Sequence, residues 1–318
     1  MPKISVIIPL YNKAPSIQRA LDSVLAQTER DFEVVVVDDG STDGSGAIAK
    51  SYMDPRIRCV RQENSGVSAA RNSGIEAARA DLVAFLDADD EYKPGFLETI
   101  LRLRGRFPHA GAYSTAYEIK EPGARPRLPS FAHIPPAPWE GIIPNYFRTL
   151  LFCSPAWSSA TAVPKSVFQE VGAFPVGVIE GEDLDLWIRI ALKHAMAFSQ
   201  AAGAIYHLDA AQRAAKGAAQ GSELRFVATA RQALAGGGVP AAARPYLKEL
   251  IEVQRLERAS ACVLAGERAK AKELLRACHT SEFRGRKLWW SFLAALPPAL
   301  AKACFVVKTR ILNRGALK

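Results

Sequence analysis

The chain has 318 residues, of which 49% are hydrophobic and 23% are charged. These ordinary globular values exclude disordered, collagen-like and highly charged architectures, and the length suits a large α/β unit with an appendage. Five cysteines without a C-x-x-C pair argue against a disulfide scaffold or zinc ribbon and favour a reducing compartment.

The formal net charge of +9 lies at one end of the chain. Residues 241–318 contain 16 Lys and Arg against 6 Asp and Glu, a net of +10, whereas residues 1–240 have a net of −1. An even surplus would suggest nucleic acid, but this one points to a surface that the C-terminal end contacts. We therefore expect no nucleic-acid partner.

Strand and helix patterns alternate over the first 120 residues. The first apolar run, at residues 4–10, is too short for a secretory signal and predicts a strand. Helices of ordinary length separate the predicted strands, which favours a mostly parallel sheet with helices on both faces. The predicted strands are 4–9, 32–37, 57–61 and 82–86, and the helices are 17–25, 47–49, 67–78 and 95–104.

The rhythm changes after residue 110. Residues 121–141 are proline-rich and predict an irregular loop, and residues 209–222 are small and polar, which suits a lid carrying Arg213 and Lys216. Beyond residue 238 the pattern is helical to the end. The other predicted elements are strands at 111–119, 158–163 and 204–207 and helices at 143–151 and 183–194.

Acidic side chains follow the predicted strands at their carboxyl ends, where open parallel sheets bind ligands. Asp38 and Asp39 end one strand, and Asp87, Asp89 and Asp90 follow another. Such a cluster is costly unless a cation compensates it, and a hard divalent metal with phosphate oxygens does so. The alternative is that both motifs are turn formers.

Two common nucleotide sites are excluded by the first strand. It runs into Pro9-Leu10-Tyr11-Asn12-Lys13, without the glycines that a dinucleotide fold or a P-loop requires. Phosphates must then be held in another way, by a metal together with Arg71 and other donors. The alternative for Arg71 is an ordinary surface salt bridge.

Five ordered motifs make the chain resemble the family 2 inverting glycosyltransferases of GT-A fold. They are S-V-I-I-P-L-Y-N (5–12), V-V-V-D-D-G-S-T-D-G-S (35–45), N-S-G-V-S-A-A-R-N-S-G (64–74), F-L-D-A-D-D (85–90) and G-E-D-L-D-L-W-I-R (181–189). The resemblance covers about the first 210 residues. It implies a catalytic domain at 1–222, with a nucleotide-binding half (1–105) and an acceptor half (106–222), followed by a helical extension at 223–318.

The resemblance assigns the donor site residue by residue. It places Pro9, Tyr11 and Asp39 at the nucleotide base, and an acceptor oxygen on Asp39 suits the imide N–H of uracil. A UDP-sugar is therefore the predicted donor. The other residues assigned to donor binding are Asn64, Arg71 and Asp87.

The metal and the base are also implied by the resemblance. Asp89, with Asp87, would bind Mn²⁺ or Mg²⁺, and His207 is a further candidate ligand whose alternative is a satisfied, partly buried histidine. Asp183 would be the general base that takes the acceptor's proton. Its alternative is structural, because acidic residues also favour the first turn of a helix.

The predicted reaction is a metal-dependent, inverting transfer of a sugar to a hydroxyl of a glycan or lipid-linked acceptor. A nucleotidyltransferase is disfavoured because the glycine-rich loop is missing. The non-enzymatic alternative is a catalytically inactive, membrane-peripheral protein that binds nucleotide or glycan.

The last segment, from about residue 283, is basic and amphipathic. It contains eight basic residues and no acidic one, together with Trp289 and Trp290. Pro297-Pro298 and Lys302 interrupt it, which argues against a single membrane span. We expect this segment to lie on an anionic membrane surface, which predicts a cytoplasmic protein that is peripheral on the inner face of the membrane. The alternative is that the tryptophans pack on the catalytic domain or in a homodimer.

Overall fold

The computed structural model describes residues 1–208 and 223–315, with side chains described as far as residue 307. The chain divides into two compact units between Thr229 and Ala230. The predicted domain boundary after residue 222 stays a prediction, because residues 209–222 lie outside the described part. The lid candidates Arg213 and Lys216 lie there as well.

The first unit contains a nine-stranded sheet with the order β3-β2-β1-β4-β8-β6-β9-β5, and β7 pairs with β9. The strands are β1 (Ile4–Leu10), β2 (Phe32–Asp38), β3 (Ile57–Arg61), β4 (Leu82–Phe85), β5 (Glu91–Tyr92), β6 (Ala112–Lys120), β7 (Glu140–Ile142), β8 (Thr161–Pro164) and β9 (Met196–His207). The helices are α1 (Ile17–Leu25), α2 (Ser45–Lys50), α3 (Val67–Ala77), α4 (Phe96–Arg106), α5 (Tyr146–Leu150), α6 (Lys165–Val171), α7 (Glu182–Lys193) and α8 (Arg225–Ala235).

Strands β1 to β4 are parallel, as the alternating pattern predicts. All residues of β1 and β2 are buried, which explains their uninterrupted apolar runs. Ile8 packs with Ile17 and Leu21 of α1 on one face of the sheet. Ile7 meets α3 on the other face. Helices therefore cover both faces.

The second half of the sheet is mixed rather than parallel. Strand β8 is antiparallel to both β4 and β6, and only the β6–β9 pair is parallel there. The strand predicted at 158–163 begins instead with a 3-10 turn at Ser158–Ala160. The segment predicted at 204–207 is only the end of the twelve-residue β9. Antiparallel neighbours need no helix between them, so the alternation rule does not apply here.

A close helix–strand approach fixes α3 against β1. A Cβ added at Gly74 would lie 2.4 Å from Cγ2 of the buried Ile7. We therefore expect Gly74→Ala to lower the free energy of unfolding by about 1–3 kcal/mol, because overpacking outweighs the better helix propensity of alanine. Urea denaturation measures this. Gly105→Ala is the matched control, because that helical glycine has open space around its Cβ position. Equal stabilities of the two variants would contradict the prediction.

The second unit is helical throughout its described part, as predicted. Its core joins Leu256, Leu275, Trp290 and Leu293. Among the described residues, no helix combines the length and the apolar character needed to cross a bilayer. The helices that begin in this unit are α9 (Arg244–Ala265), α10 (Arg268–Ala277), α11 (Arg284–Ala295) and α12 (Pro298–Gly315).

Candidate active site

Arg71 connects two acidic motifs that are far apart in the sequence. It lies on α3 with only 3% of its surface exposed. Its guanidinium donates to Asp87 Oδ1 at 2.8 Å and to Glu182 Oε1 at 2.9 Å. The surface salt bridge that was the alternative for Arg71 is therefore wrong. The F-L-D-A-D-D and G-E-D motifs meet at one buried cation.

Asp39 shapes the loop between β3 and α3. Its carboxylate accepts hydrogen bonds from the backbone N–H of Ser65 and of Gly66, both at 2.9 Å, and from the Gln62 side chain at 2.7 Å. Asn64 donates to the Asp39 carbonyl oxygen at 3.1 Å. Asp39 is buried and Asn64 is exposed. These bonds bring the predicted base-binding residue and the donor-binding loop together.

The other two residues assigned to the nucleotide base differ in exposure. Pro9 is buried within β1, where it is the register partner of Val37. Tyr11 lies just beyond the strand and is 48% exposed. Asn12 adopts a positive φ of 51° and its side chain accepts a hydrogen bond from Thr42 N. Tyr11 thus presents a ring to solvent beside the Asp39 turn, where a flat base can stack.

Asp89 is paired with a cation of the chain itself. Its carboxylate forms an ion pair with Lys13, and its backbone carbonyl accepts a hydrogen bond from Arg19. The Asp89 side chain is 26% exposed, as is that of Asp87. Both carboxylates are partly accessible and each is paired with a cation of the chain, Asp89 with Lys13 and Asp87 with Arg71, and carboxylate oxygens are the ligands that a hard divalent cation prefers. These residues therefore fit a metal that completes its ligands with phosphate and water.

No group of three His, Cys, Asp or Glu side chains in the described part of the chain is arranged as a metal cluster. His207 is not grouped with Asp87 and Asp89 in this way. Its Nε2 lies 3.4 Å from Glu91 Oε1, and its backbone N–H donates to Asp90. Burial, followed by the charge of Arg19, lowers the pKa of His207. Its role as a ligand stays a prediction.

Asp90 is a structural acid rather than a turn cap. It is 1% exposed, and its carboxyl group bonds to Ser159 Oγ at 2.7 Å and to His207 N at 3.1 Å. Burial, together with the charges of Asp87 and Asp89, raises the pKa of Asp90 well above its ordinary value. The raised pKa reflects the cost of placing three acids after one strand, and the hydrogen bonds from Ser159 and His207 N offset part of that cost.

Asp183 lies in the first turn of α7, after Gly181 in the left-handed region. Its Oδ2 is 3.5 Å from Ser158 Oγ, and its Oδ1 accepts from Leu184 N at 2.7 Å. Burial and the neighbouring Glu182 raise the pKa of Asp183 to about 6, against the opposing effect of Arg71. A carboxylate with that pKa is suited to take a proton near neutral pH.

Asp185, in contrast, is used by the fold. It is fully buried and accepts from Arg189 Nε at 2.9 Å and from Thr229 Oγ1 at 2.5 Å. Arg189 also donates to the backbone carbonyls that follow α6. The structural interpretation of acids in this helix start is therefore right for Asp185. Asp183 has no such cationic hydrogen-bond partner among the described residues.

A cluster of aromatic side chains includes Trp157, the neighbour in sequence of the Asp183 contact Ser158, and no motif in the sequence predicts this cluster. Trp157 packs between Tyr117 and Tyr206, with ring centroids 5.0 and 4.8 Å away. Trp157 directly precedes Ser158, which contacts Asp183. The charge of Asp183 adds to the effect of burial in raising the pKa of Tyr117. No local pattern signals this cluster, because its members come from three distant segments.

Lys13 and Glu182 were not predicted as site residues, although each forms an ion pair with a residue that was. Lys13 lies three residues after the end of β1, so the sequence already indicated that it would lie near the acids that follow the neighbouring parallel strands. Glu182 carried only the signal of a helix start. Its partner Arg71 lies 111 residues away in the sequence, and only the folded chain shows that pair.

Comparison with known proteins identifies the family of this arrangement. Residues 5–170 match the sequence model described as Glycosyl transferase family 2. The chain is 46% identical over 103 residues to the Escherichia coli protein named "Uncharacterized glycosyltransferase YibD", covering 32% of this chain and 30% of that protein. It is 45% identical over 102 residues to "Glycosyltransferase GlyA" of Streptococcus pneumoniae, covering 31% and 15%. The matches thus span less than a third of these relatives.

Solved structures agree on the fold. The chain superposes on Staphylococcus aureus TarS 1-349 in complex with UDP-GlcNAc with a TM-score of 0.59 and 18% identity, over 87% of this chain and 82% of that one. The complex of the same protein with UDP gives a TM-score of 0.58, over 92% and 88%. At this identity the likeness shows the fold alone.

Proposed function

The chain belongs to glycosyl transferase family 2, and we propose that it moves a sugar from a UDP-sugar to an acceptor hydroxyl with inversion. The observation that carries this proposal is the bridge from Asp87 through Arg71 to Glu182, next to Asp183. It joins Asp87, which is proposed to bind the donor, to Glu182, the neighbour of the proposed base Asp183. Family membership confirms the predicted resemblance and the transferase class.

The chemistry is a single displacement. The acceptor oxygen attacks the anomeric carbon, the bond from that carbon to the diphosphate oxygen breaks, and Asp183 takes the hydroxyl proton. The nucleotide leaves as the diphosphate. Attack opposite the leaving group inverts the anomeric centre, and the raised pKa of Asp183, about 6, suits proton uptake at neutral pH.

The donor is proposed to be a UDP-sugar for two reasons. TarS has been solved with UDP and with UDP-GlcNAc. In this chain Tyr11 offers an exposed ring beside the turn that Asp39 stabilises. Because Asp39 already accepts three hydrogen bonds, its carboxylate must use a remaining lone pair if it also accepts the imide N–H of uracil.

Asp89 and Asp87 would hold Mn²⁺ or Mg²⁺. That ion supplies charge stabilisation for the departing diphosphate. Lys13 forms an ion pair with Asp89 and contributes positive charge beside the proposed metal position. Arg71 keeps Asp87 in position.

Asp89→Ala is expected to abolish the gain in UDP affinity that Mn²⁺ provides, because the principal oxygen ligand is lost. Isothermal calorimetry of UDP with and without Mn²⁺ measures this gain. Asp81→Ala is the matched control, since Asp81 directly precedes β4 and therefore lies at the end of that strand opposite to Asp87 and Asp89. A metal effect that survives in Asp89→Ala would reject the metal assignment.

The acceptor is proposed to be a glycan or a lipid-linked glycan. Trp157 is partly exposed and precedes Ser158, the contact of Asp183, so the part of its indole that remains exposed offers apolar surface against which a sugar can pack. The basic C-terminal unit supports a location on the anionic inner face of a membrane, within the cytoplasm. Trp290 is buried within that unit, whereas Leu288 and Phe292 are exposed. Leu288 and Phe292, rather than Trp290, would therefore contact the lipid. In the alternative arrangement they would contact a second copy of the chain.

The alternative function is binding without catalysis. The presence of Asp183 with its raised pKa favours the enzyme. Incubation with UDP-sugars and Mn²⁺ in the absence of acceptor separates the two, because a transferase slowly releases UDP by transfer to water. UDP binding without any release from a panel of UDP-sugars, with or without glycan acceptors, would favour the binding protein.

A further inference from the structure

A small cavity in the C-terminal unit has three cationic side chains among its six lining residues, beside an apolar floor. It lies between α10 and α11 and has a volume of about 260 Å³. A phosphate group and its oxygens fit this space. The lining residues are Lys272, Leu275, Arg276, Lys287, Ser291 and Ala294.

Two of the three cationic side chains are available to bind a ligand. Lys272 and Arg276 stand one helical turn apart, are exposed, and form no side-chain ion pair or hydrogen bond with the described part of the chain. Lys287 donates one hydrogen bond to the Cys278 carbonyl at 2.7 Å, which leaves two N–H groups of its ammonium. With the hydroxyl of Ser291, these groups form a donor set for a phosphate.

Apolar side chains beside the cavity indicate the source of that phosphate. Leu288 and Phe292 follow the lining residues Lys287 and Ser291 directly on α11, so they lie on the adjoining helix face. They are 70% and 53% exposed. A soluble phosphate would give such residues nothing to contact, whereas a lipid brings acyl chains next to its headgroup.

We propose that this cavity binds the phosphate headgroup of an anionic phospholipid while Leu288 and Phe292 enter the acyl boundary. The site deepens the proposed membrane location of the C-terminal unit and is independent of the catalytic proposal. Diffuse electrostatic attraction to the membrane would depend on the total charge of the unit. Binding in this cavity depends instead on the cationic side chains that line it.

The test is co-sedimentation of the full chain with phosphatidylcholine vesicles that contain or lack phosphatidylglycerol. Lys272→Ala/Arg276→Ala is expected to lower the partition coefficient for anionic vesicles about 30-fold. Arg284→Ala/Lys302→Ala removes the same charge from exposed positions of α11 and α12 that do not line the cavity, and should lower it much less. Leu288→Ser/Phe292→Ser should weaken binding as well. All six substituted positions are exposed, so we expect the variants to fold. Circular dichroism of each variant checks this.

Each outcome is decisive for one proposal. Equal losses in the two charge variants would overturn the cavity and leave diffuse membrane attraction. No binding of the unaltered chain to anionic vesicles would overturn the membrane location itself. Unchanged binding of Leu288→Ser/Phe292→Ser, with competition by inorganic phosphate, would identify a site for free phosphate and overturn the lipid assignment. None of these three outcomes bears on the catalytic proposal, which the separate assay of UDP release tests.

Discussion

Asp183→Asn is expected to lower sugar transfer about 1,000-fold while UDP affinity is retained. The amide keeps the shape of the side chain and its hydrogen bond from Leu184 N but cannot take a proton, and general bases contribute about 10²–10⁴ in rate. Single-turnover transfer and calorimetry of UDP measure the two quantities. Glu180→Gln makes the same chemical change at an exposed position three residues earlier and should leave transfer unchanged.

The pH dependence of the unaltered chain provides a second readout of the same base. Because burial and Glu182 raise the pKa of Asp183 to about 6, the base is protonated and inactive below that pH. We expect kcat/KM to fall about tenfold per pH unit below about pH 6 and to level off above it. A profile that continues at full rate to pH 4.5, or full transfer by Asp183→Asn, would remove Asp183 from the mechanism.

Arg71→Ala is expected to lower the free energy of unfolding by about 3 kcal/mol and to abolish UDP-sugar turnover. Removing a buried cation leaves Asp87 and Glu182 uncompensated, and breaking a buried ion pair costs about 3–5 kcal/mol. The lower value applies because the side chains of Asp87 and Glu182 are 26% and 13% exposed. Chemical denaturation measures the change.

Arg79→Ala is the control for Arg71→Ala. Its side chain is 67% exposed and its nearest carboxylate, that of Glu33, is 3.9 Å away, so we expect a loss of less than about 1 kcal/mol. In Arg71→Ala/Glu182→Gln one orphaned charge is also removed, and stability should partly recover. A loss in Arg71→Ala no larger than that in Arg79→Ala would show that the bridge has no structural role.

The parallel half of the sheet was predictable because its signals are local. The runs at β1 and β2 are mostly apolar, since both of their faces are covered, and Asp39 and Asp87 lie one and two residues after the ends of β2 and β4. The antiparallel insertion of β8 was not predictable. Its residues carry no mark of which strand they pair with, and a 3-10 turn occupies half of the predicted strand.

Asp90 shows how burial changes the meaning of a motif. In F-L-D-A-D-D three acids look equivalent. In the fold Asp87 forms an ion pair with Arg71, and Asp89 forms one with Lys13. Asp90 accepts hydrogen bonds from Ser159 and from the backbone of β9. The fate of each carboxylate depends on partners that the turn itself does not contain.

The sequence by itself determined the family, the parallel half of the sheet, and the acids that follow its strands. Strand periodicity and the order of short motifs are properties of neighbouring residues, so they survive without a fold. Only the tertiary structure decided that Arg71 joins Asp87 to Glu182, that Lys13 forms an ion pair with Asp89, and that Ser158 contacts Asp183. These contacts join residues that are 16 to 111 positions apart, and a chain specifies such pairs through packing rather than through local pattern.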